Sequence, residues 1–372
     1  MGRLLALSFF LASASSFALQ SRQLTGVRSL ALSPDGEQIA FTWRGDVWMA
    51  PSTGGRAVAL TTNVEMDDNP VWSPDGKWIA FASNRNGNWD TYIANAEGGE
   101  TKRLTWSSFS EIPNGWSPDG TKLIYRGFYE KSDNGIYTID VATGRMQELW
   151  LDNRTLSWPT FSADGKQVIF ARNYNFPYNR PRYEGSGAAQ VNSLDLATGK
   201  RTEIRAGRLQ TLWPTQGKSG LYVVTNTEKT PATDNVFKVP VRYTENVAKT
   251  PNVYRLNSGG GLNRLTEFVG GSGARFLTAA TKADLVAFER EGKAYTMVPG
   301  QSPKPISLTA FIDDKTAIEE RLILNGNAET MSLSPKGDKI IFSVRRELWS
   351  VPTKKGKGPN ADDATRLTTR CV

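Results

Sequence analysis

This chain of 372 residues contains no histidine, and its single cysteine is Cys371. The missing imidazole excludes Ser-His-Asp and Cys-His catalytic pairs. It also excludes every zinc, copper or iron site that depends on a histidine ligand. A lone cysteine cannot form an intrachain disulfide. The fold must therefore be held by packing and hydrogen bonds, and any chemistry must come from other side chains.

Long apolar segments are also missing, and the one notable apolar run stands at the N-terminus. Arg3 precedes this run at residues 4–12, and Ser16-Phe17-Ala18 has the small-x-small pattern of a cleavage site. The run is too short to span a bilayer. We therefore predict a signal peptide over residues 1–18 with cleavage after Ala18, a periplasmic or secreted product, and no stable membrane anchor.

Neither the charge nor the glycines of the chain indicate a cofactor. There are 45 Lys and Arg against 37 Asp and Glu, which gives a net charge of +8. A basic balance is compatible with nucleic-acid binding, but the charge is spread along an exported chain, so we expect no nucleic acid. Gly259-Gly260-Gly261 lacks the lysine of a phosphate loop. The adjacent Asp67 and Asp68 are weak grounds for a cation site, and we predict no cofactor and no metal.

What the chain has in quantity is one repeated turn. Ser-Pro-Asp-Gly precedes an apolar triplet at Ser33, Ser73 and Ser117, and weaker copies begin at Ser162 and Ser334. In such a turn proline presets φ, aspartate accepts local N–H groups and glycine supplies a positive φ. Repeats of roughly 40 to 50 residues with several short strands each are typical of a β-propeller.

The second repeat predicts how one unit folds. Residues 70–73 lead into the turn, 77–83 form a buried strand, 90–94 alternate polar and apolar, and 101–105 form the outermost strand. Four antiparallel strands make one propeller blade. The apolar triplets centre blades on Phe41, Phe81, Tyr125, Phe170, Tyr222, Phe288 and Phe342. The matching outer strands are predicted at 57–61, 102–105, 146–149, 201–204, 263–266, 306–309 and 365–368.

These repeats resemble the Asp-Gly propellers of TolB-like proteins and, more specifically, the N-terminal β-propeller of tricorn-like serine peptidases. The resemblance rests on residues 32–55, on residues 71–85, and on residues 333–349 with their Glu347-Leu348-Trp349 ending. It implies a six-bladed propeller, followed in such peptidases by a second propeller, a PDZ domain and the peptidase core. The core with its catalytic Ser and His is absent here, so no catalytic residue carries over.

The resemblance predicts an all-β fold of four-stranded antiparallel blades in three segments. Residues 1–18 form the signal peptide and residues 19–310 a six-bladed propeller. Residues 311–372 form a seventh blade, which would start a truncated second propeller. A closed seven-bladed ring is the alternative.

Arginine recurs one to four residues after the apolar triplet, which places it at the end of the second strand or in the following loop. The six positions are Arg44, Arg85, Arg126, Arg172, Arg290 and Arg345. Those loops share one face of a propeller, so the guanidinium groups would ring the channel mouth and attract peptide C-termini or acidic partners. The alternative is that each arginine pairs with a local acid, such as Asp46, Asp90 or Glu347, and holds its own hairpin.

Three functions of different classes remain open. The first is a non-catalytic extracytoplasmic propeller that binds peptides or proteins, resembling the substrate-gating or docking propeller of a tricorn-like peptidase. The second is a stand-alone TolB-like periplasmic scaffold for protein interactions, and the third is a lyase or glycosidase that uses channel carboxylates. A serine elbow is missing, because Gly270-Gly271-Ser272-Gly273-Ala274 fails at its last position. The favoured partners are peptides or proteins, and the oligomeric state is not indicated.

Overall fold

The computed structural model describes residues 21–129, 134–173, 187–205, 209–226, 250–311, 328, 330–344, 347–353 and 364–368. All regular secondary structure in these residues is β-strand, which confirms the predicted all-β class. Seven sheets have four antiparallel strands and one sheet has three strands. Within the described ranges no helix has the length and apolarity needed to cross a membrane.

Each four-stranded sheet is a meander of strands that follow one another closely in the chain, apart from the short strand β5. In chain order the strands are β1 (Ser21–Gln23), β2 (Arg28–Leu32), β3 (Gln38–Trp43), β4 (Asp46–Pro51), β5 (Gly55–Arg56), β6 (Val58–Ala59), β7 (Asp67–Trp72), β8 (Trp78–Ser83), β9 (Asp90–Asn95), β10 (Lys102–Arg103), β11 (Ile112–Trp116), β12 (Lys122–Gly127), β13 (Asn134–Asp140), β14 (Met146–Asp152), β15 (Thr155–Phe161), β16 (Gln167–Asn173), β17 (Gln190–Asp195), β18 (Arg201–Arg205), β19 (Thr211–Gly217), β20 (Gly220–Thr225), β21 (Asn252–Leu256), β22 (Leu262–Arg264), β23 (Arg275–Ala279), β24 (Val286–Arg290), β25 (Lys293–Met297), β26 (Lys304–Pro305), β27 (Leu308–Phe311), β28 (Thr330–Leu333), β29 (Lys339–Val344), β30 (Glu347–Pro352) and β31 (Thr365–Arg366). The first blade contains β2, β3, β4 and β6, and the next five blades take four strands each, up to β26.

The repeated turn joins the first and second strands of a blade through the same hydrogen bonds each time. In the second blade the Ser73 hydroxyl donates to Asp75 at 2.5 Å and accepts the Trp78 N–H at 2.9 Å. Asp75 also accepts the Lys77 N–H at 3.0 Å, and Gly76 adopts a φ of +75°. The same bonds recur at Ser33, Ser117 and Ser162. Because glycine adopts positive φ without a steric cost, the repeated phrase encodes a turn.

Apolar clusters hold the blades together, and each spans neighbouring sheets. The first and second blades share a cluster of Ala40 and Ile79, and similar clusters link the second blade to the third and so on to the sixth. Phe41 of the first blade lies in one cluster with Ala287 of the sixth. A single thin sheet cannot bury a core alone. Each of these sheets therefore buries its faces against its neighbours, and the sixth packs against the first.

Hydrogen bonds between neighbouring first strands add to this packing. The indole N–H of Trp72 donates to Ala31 O at 3.1 Å, and that of Trp116 donates to Val71 O at 3.2 Å. Leu32 N–H donates to the Thr278 hydroxyl at 3.1 Å, across the junction of the first and sixth blades. These tryptophans therefore hold adjacent blades together.

A three-stranded sheet joins the sixth blade to the first. Strand β27 pairs antiparallel with β1 and parallel with β5. Leu308 O accepts the Leu24 N–H at 2.8 Å, and Ser307 O accepts the Gly55 N–H at 2.8 Å. Residues that follow the sixth blade thus bind both the N-terminal strand and the edge of the first blade.

This sheet shows that the predicted outer strand of the sixth blade, residues 306–309, is wrong by about two residues. The observed outer strand is Lys304–Pro305. Ile306 N–H donates to Ala294 O at 2.9 Å, as Leu60 N–H donates to Val47 O at 2.8 Å in the first blade. Leu308-Thr309 resembles the Leu-Thr ending of the other blades, but it pairs with residues far away in the sequence.

Strands β28 to β31 form the four-stranded sheet predicted near the C-terminus. Its first strand is exposed at all four positions, with Met331 74% and Leu333 61% exposed. The first strands of the six packed sheets each contain at most one exposed residue. The predicted signal peptide over residues 1–18 and the residue Arg345 lie outside the described residues, and the start of a second propeller stays a prediction.

Candidate binding channel

The first strand of each packed blade carries an irregularity at the same place in its register. In all six blades the ladder between the first and second strands is broken by a bulge. Five blades have a residue in the left-handed region there, with φ between 48° and 53°: Ser29, Asn69, Trp158, Trp213 and Phe276. The third blade has Pro113 at the equivalent position, and a proline ring holds φ negative. Bulges redirect side chains, and here they direct them to the centre of the ring.

A cavity of about 440 Å³ lies at this centre and is lined by the first strands of all six blades. Its wall is uneven in chemistry. Blades one to three contribute Ser29, Asn69 and Asn114, whereas blades four to six contribute Trp158, Trp213 and Phe276. These aromatic side chains were not predicted from the sequence. A signal was present, because each lies four residues before the position that the serine of the turn occupies in the other blades.

The three aromatic rings are in mutual contact. The ring centroids of Trp158 and Trp213 are 4.8 Å apart, and those of Trp213 and Phe276 are 5.7 Å apart. Both distances fall in the range in which aromatic pairs attract each other. Trp213 is 5% exposed, while Trp158 and Phe276 are only partly buried. The rings therefore form a continuous apolar surface on one side of the cavity.

The charged groups of the cavity wall are few. Among the described residues that line it there is no carboxylate, and its charged side chains are Lys218 and Lys282 near one mouth. Lys218 lies 3.4 Å from Asp284, and both side chains are largely exposed, so this pair contributes little stability. Cavities of about 300 to 1,000 Å³ with mainly apolar walls and a few polar groups are typical ligand sites. This one suits a neutral group, and its described lining has no carboxylate for general acid–base chemistry.

Of the predicted arginine ring, Arg345 lies outside the described residues, and the other five members do not line this cavity. Two of the five are each paired with both oxygens of a carboxylate. Arg85 donates to both oxygens of the buried Asp67 at 3.1 Å and lies over the Tyr92 ring at 4.5 Å. Arg172 donates to the two oxygens of Asp152 at 2.6 and 2.9 Å. These are bidentate pairs within single blades or between adjoining ones, and they fix strand ends.

The other members are placed as follows. Arg290 lies 3.1 Å from Glu291 and over the Phe268 ring at 4.6 Å. Arg44 has a φ of 52° in the hairpin turn and lies over the Trp43 ring at 4.7 Å. Arg126 lies in β12 opposite Ile112. The contacts favour the local role over the binding role, which stays a prediction. The acids involved differ from those expected, because Asp90 lies 2.8 Å from Arg103 and Glu347 contacts Arg366.

A second repeated phrase, Arg-Leu-Thr, closes the outer edge of several blades. The hydroxyls of Thr61, Thr105, Thr266 and Thr368 accept the N–H of a residue near the start of the third strand at 2.8 to 3.0 Å. Arg103 Nε donates to Thr105 O at 2.7 Å, and the same bond recurs at Arg264 and Arg366. The phrase is visible in the sequence at 103–105, 264–266 and 366–368. Its role is structural.

Acidic side chains between the first three blades are perturbed by burial. Burial, and secondarily repulsion from Asp67, raises the pKa of Asp46 to about 7. Burial also raises the pKa of Glu111, whose carboxylate accepts the Tyr129 hydroxyl. Asp68 accepts the Thr42 hydroxyl at 2.7 Å, so the Asp67-Asp68 pair is occupied by local bonds. In the part of the chain that the structure describes, no three acids, cysteines or histidines group as metal ligands would.

The sequence of this chain matches one protein family over most of its length. The family of the tricorn protease N-terminal beta propeller domain matches residues 28–302. The chain belongs to this family. The matched unit is the propeller domain of a protease and not its catalytic domain.

Individual relatives agree with that assignment. The chain is 43% identical over 100 residues to tricorn protease homolog 1 of Streptomyces coelicolor, which is 27% of this chain and 9% of that protein. It is 28% identical over 163 residues to a protein of Sulfurisphaera tokodaii named as a tricorn-like protease N-terminal subunit, covering 41% of this chain and 80% of that one. The first three curated relatives are covered over 9%, 28% and 53% of their lengths.

The fold is also similar to solved propellers. The crystal structure of the tricorn protease superposes with a TM-score of 0.61 at 17% identity, over 94% of this chain and 32% of that one. The TolB-like protein of Agrobacterium tumefaciens superposes with a TM-score of 0.54 at 20% identity, over 69% of this chain and 86% of that one. At these identities the similarity shows the propeller fold alone.

Proposed function

We propose that this chain is a non-catalytic extracytoplasmic propeller that binds peptides or protein segments. It would serve as the docking or gating part of a tricorn-like peptidase system whose active site lies outside these strands. The observation that carries the proposal is the central cavity, formed by all six first strands in a member of a protease propeller family. We further infer a six-bladed ring, with the sheet β28–β31 outside it.

The chemistry of the cavity supports binding over catalysis. An acid–base enzyme of the lyase or glycosidase class needs carboxylates at the site of reaction. The described wall of the cavity has none, and the buried Asp67, Asp152 and Glu289 are paired with Arg85, Arg172 and Arg275. An extended peptide offers apolar side chains and N–H groups, which match the apolar and amide groups of the wall.

A separate binding subunit is consistent with the relative from Sulfurisphaera tokodaii, which is named as an N-terminal subunit of a tricorn-like protease. Export of the chain follows from the signal peptide predicted over residues 1–18. Fractionation of cells that express the full chain tests this part of the proposal: the protein should accumulate outside the cytoplasm and begin near Leu19.

Binding is tested with the purified mature chain and a mixture of peptides from a digested unfolded protein. We expect peptides to be retained without cleavage, measured by mass spectrometry of bound and free fractions. Asn69→Trp should reduce retention several-fold, because a fourth large ring then enters the cavity, at the position equivalent to those where Trp158 and Trp213 show that tryptophan fits. Ser29→Asn is the control, since it keeps a small polar group at the equivalent place. Cleavage by this chain alone, or unchanged retention by Asn69→Trp, would contradict the proposal.

A further inference from the structure

Three adjacent blades have a large aromatic residue at the bulge position, where the backbone conformation does not favour one. Trp158, Trp213 and Phe276 have φ values of 51°, 48° and 50°. Large side chains are strained in this region, whereas asparagine tolerates it through its short polar side chain. The second blade has Asn69 in the same conformation. The conformation itself is common to five blades, so the choice of three large rings must be compensated by what the rings contact.

All three rings line the cavity, but they differ in burial. Trp213 is almost fully buried and contacts both Trp158 and Phe276. Trp158 and Phe276 are only partly buried and line the cavity. Their exposed ring surface can gain further burial only from a group that enters the channel, and a flat apolar group would gain most from it.

Neighbouring blades line the same cavity with side-chain amides. Asn69 of the second blade and Asn114 of the third blade both line it. A side-chain amide can donate and accept hydrogen bonds without carrying a charge. The ligand that suits this site therefore combines a planar apolar group with uncharged N–H and C=O groups.

We propose that the aromatic wall of the channel is a subsite for an aromatic side chain of a bound peptide. A peptide residue carries a ring and backbone amide groups together, so its ring can contact Trp158 and Phe276 while its backbone bonds to the side-chain amides of the wall. This inference rests on the proposed peptide-binding function and adds the specificity of the site. Sugars also stack on aromatic rings and donate hydrogen bonds, so they are the competing ligand class.

The test compares short capped peptides on the mature chain by titration calorimetry. The probes are acetyl-Gly-Phe-Gly-amide, the same peptide with Leu, the same peptide with Ala, and the disaccharide cellobiose. We expect the Phe peptide to bind about tenfold more tightly than the Ala peptide. A factor of this size corresponds to the free energy of one favourable aromatic contact together with the apolar area that it buries. Trp158→Asn and Phe276→Asn should each remove most of this preference. Asparagine suits the left-handed backbone, so circular dichroism melts should show no loss of folding, and a variant that unfolds is replaced by the other.

The control is Phe109→Asn, which removes an exposed aromatic ring that does not line the cavity and should keep the Phe preference. Equal binding of the Phe, Leu and Ala peptides overturns the subsite, as does a Phe preference that survives in both asparagine variants. Displacement of the Phe peptide by cellobiose at similar concentration would assign the wall to sugars and also overturn it. If long peptides from the digest bind without any aromatic preference, this inference fails while the proposed function stands. If no peptide binds, both this inference and the proposed function are wrong.

Discussion

At the scale of single residues, Asp46 is the group whose charge the fold opposes most clearly. It is partly buried, its Oδ1 has no hydrogen-bond partner among the described groups, and its pKa is raised to about 7 from 3.8. A carboxyl group whose folded pKa lies above its unfolded value stabilises the folded state only while it stays protonated. Its contribution is therefore complete at acidic pH and is lost as the pH rises from about 4 to about 7.

Asp46→Asn should accordingly stabilise the chain in a pH-dependent way. The neutral amide keeps the shape of the side chain and removes the charge that burial and Asp67 oppose. We expect the variant to melt at a higher temperature than the wild type at pH 8 and at a similar temperature at pH 4. Thermal melts at both pH values measure this, and Asp68→Asn is a matched control at an acid that accepts the Thr42 hydroxyl. An equal difference at both pH values would show that charge is not the cause.

How far single residues could be predicted depends on whether their contacts are local. The bonds of Ser73, Asp75 and Gly76 span five residues or fewer and follow directly from the sequence. The partner of Arg85 is Asp67, eighteen residues away, and depends on which of two adjacent acids points inward. The aromatic wall could not be predicted for the same reason: no local sequence pattern indicates that a bulge turns Trp158 into the channel.

At the scale of strands, the link between the sixth and first blades depends on a close backbone approach. Gly54 has a φ of +95°, and a Cβ there would lie 2.8 Å from Ser307 O and 3.1 Å from Ser307 N. This approach allows β5 to lie beside β27. The same long-range pairing explains why the outer strand of the sixth blade was predicted at the wrong residues. Residues 308–311 pair with a strand nearly 300 residues earlier in the chain, and a local repeat cannot indicate such a partner.

Gly54→Ala should therefore weaken the junction. We expect a loss of about 2 to 3 kcal/mol in the free energy of unfolding, from a strained φ and overlap with the Ser307 backbone. Gly55→Ala is the matched control, because Gly55 also has a positive φ of +116° but open space around its Cβ position. Urea denaturation of both variants measures the difference. Equal losses would mean that conformational strain, and not contact with Ser307, governs this site.

At the scale of the whole molecule, the six packed sheets are closed by residues 307–309, which bind both the N-terminal strand and the first blade. Local repeats were enough to predict the fold class and the unit of four strands, because each turn and hairpin is encoded within its own blade. They could not decide between six and seven blades, since closure depends on which sheet meets the first. The shared cluster of Phe41 and Ala287, together with the exposed first strand of the seventh sheet, favours six.

This view predicts that the ring is independent of the C-terminal sheet. A chain that stops after residue 311 keeps every strand up to β27, and we expect its thermal unfolding transition to remain single and within a few degrees of that of the full chain. A matched variant that starts at Leu24 lacks β1 and its pairing with β27. It should melt clearly lower, because the closing sheet then loses one of its three strands and residues 309–311 lose their partners in β1. Calorimetry of the three proteins measures their unfolding temperatures. If removing the C-terminal sheet lowers the unfolding temperature strongly or abolishes the transition, the seventh blade belongs to the ring.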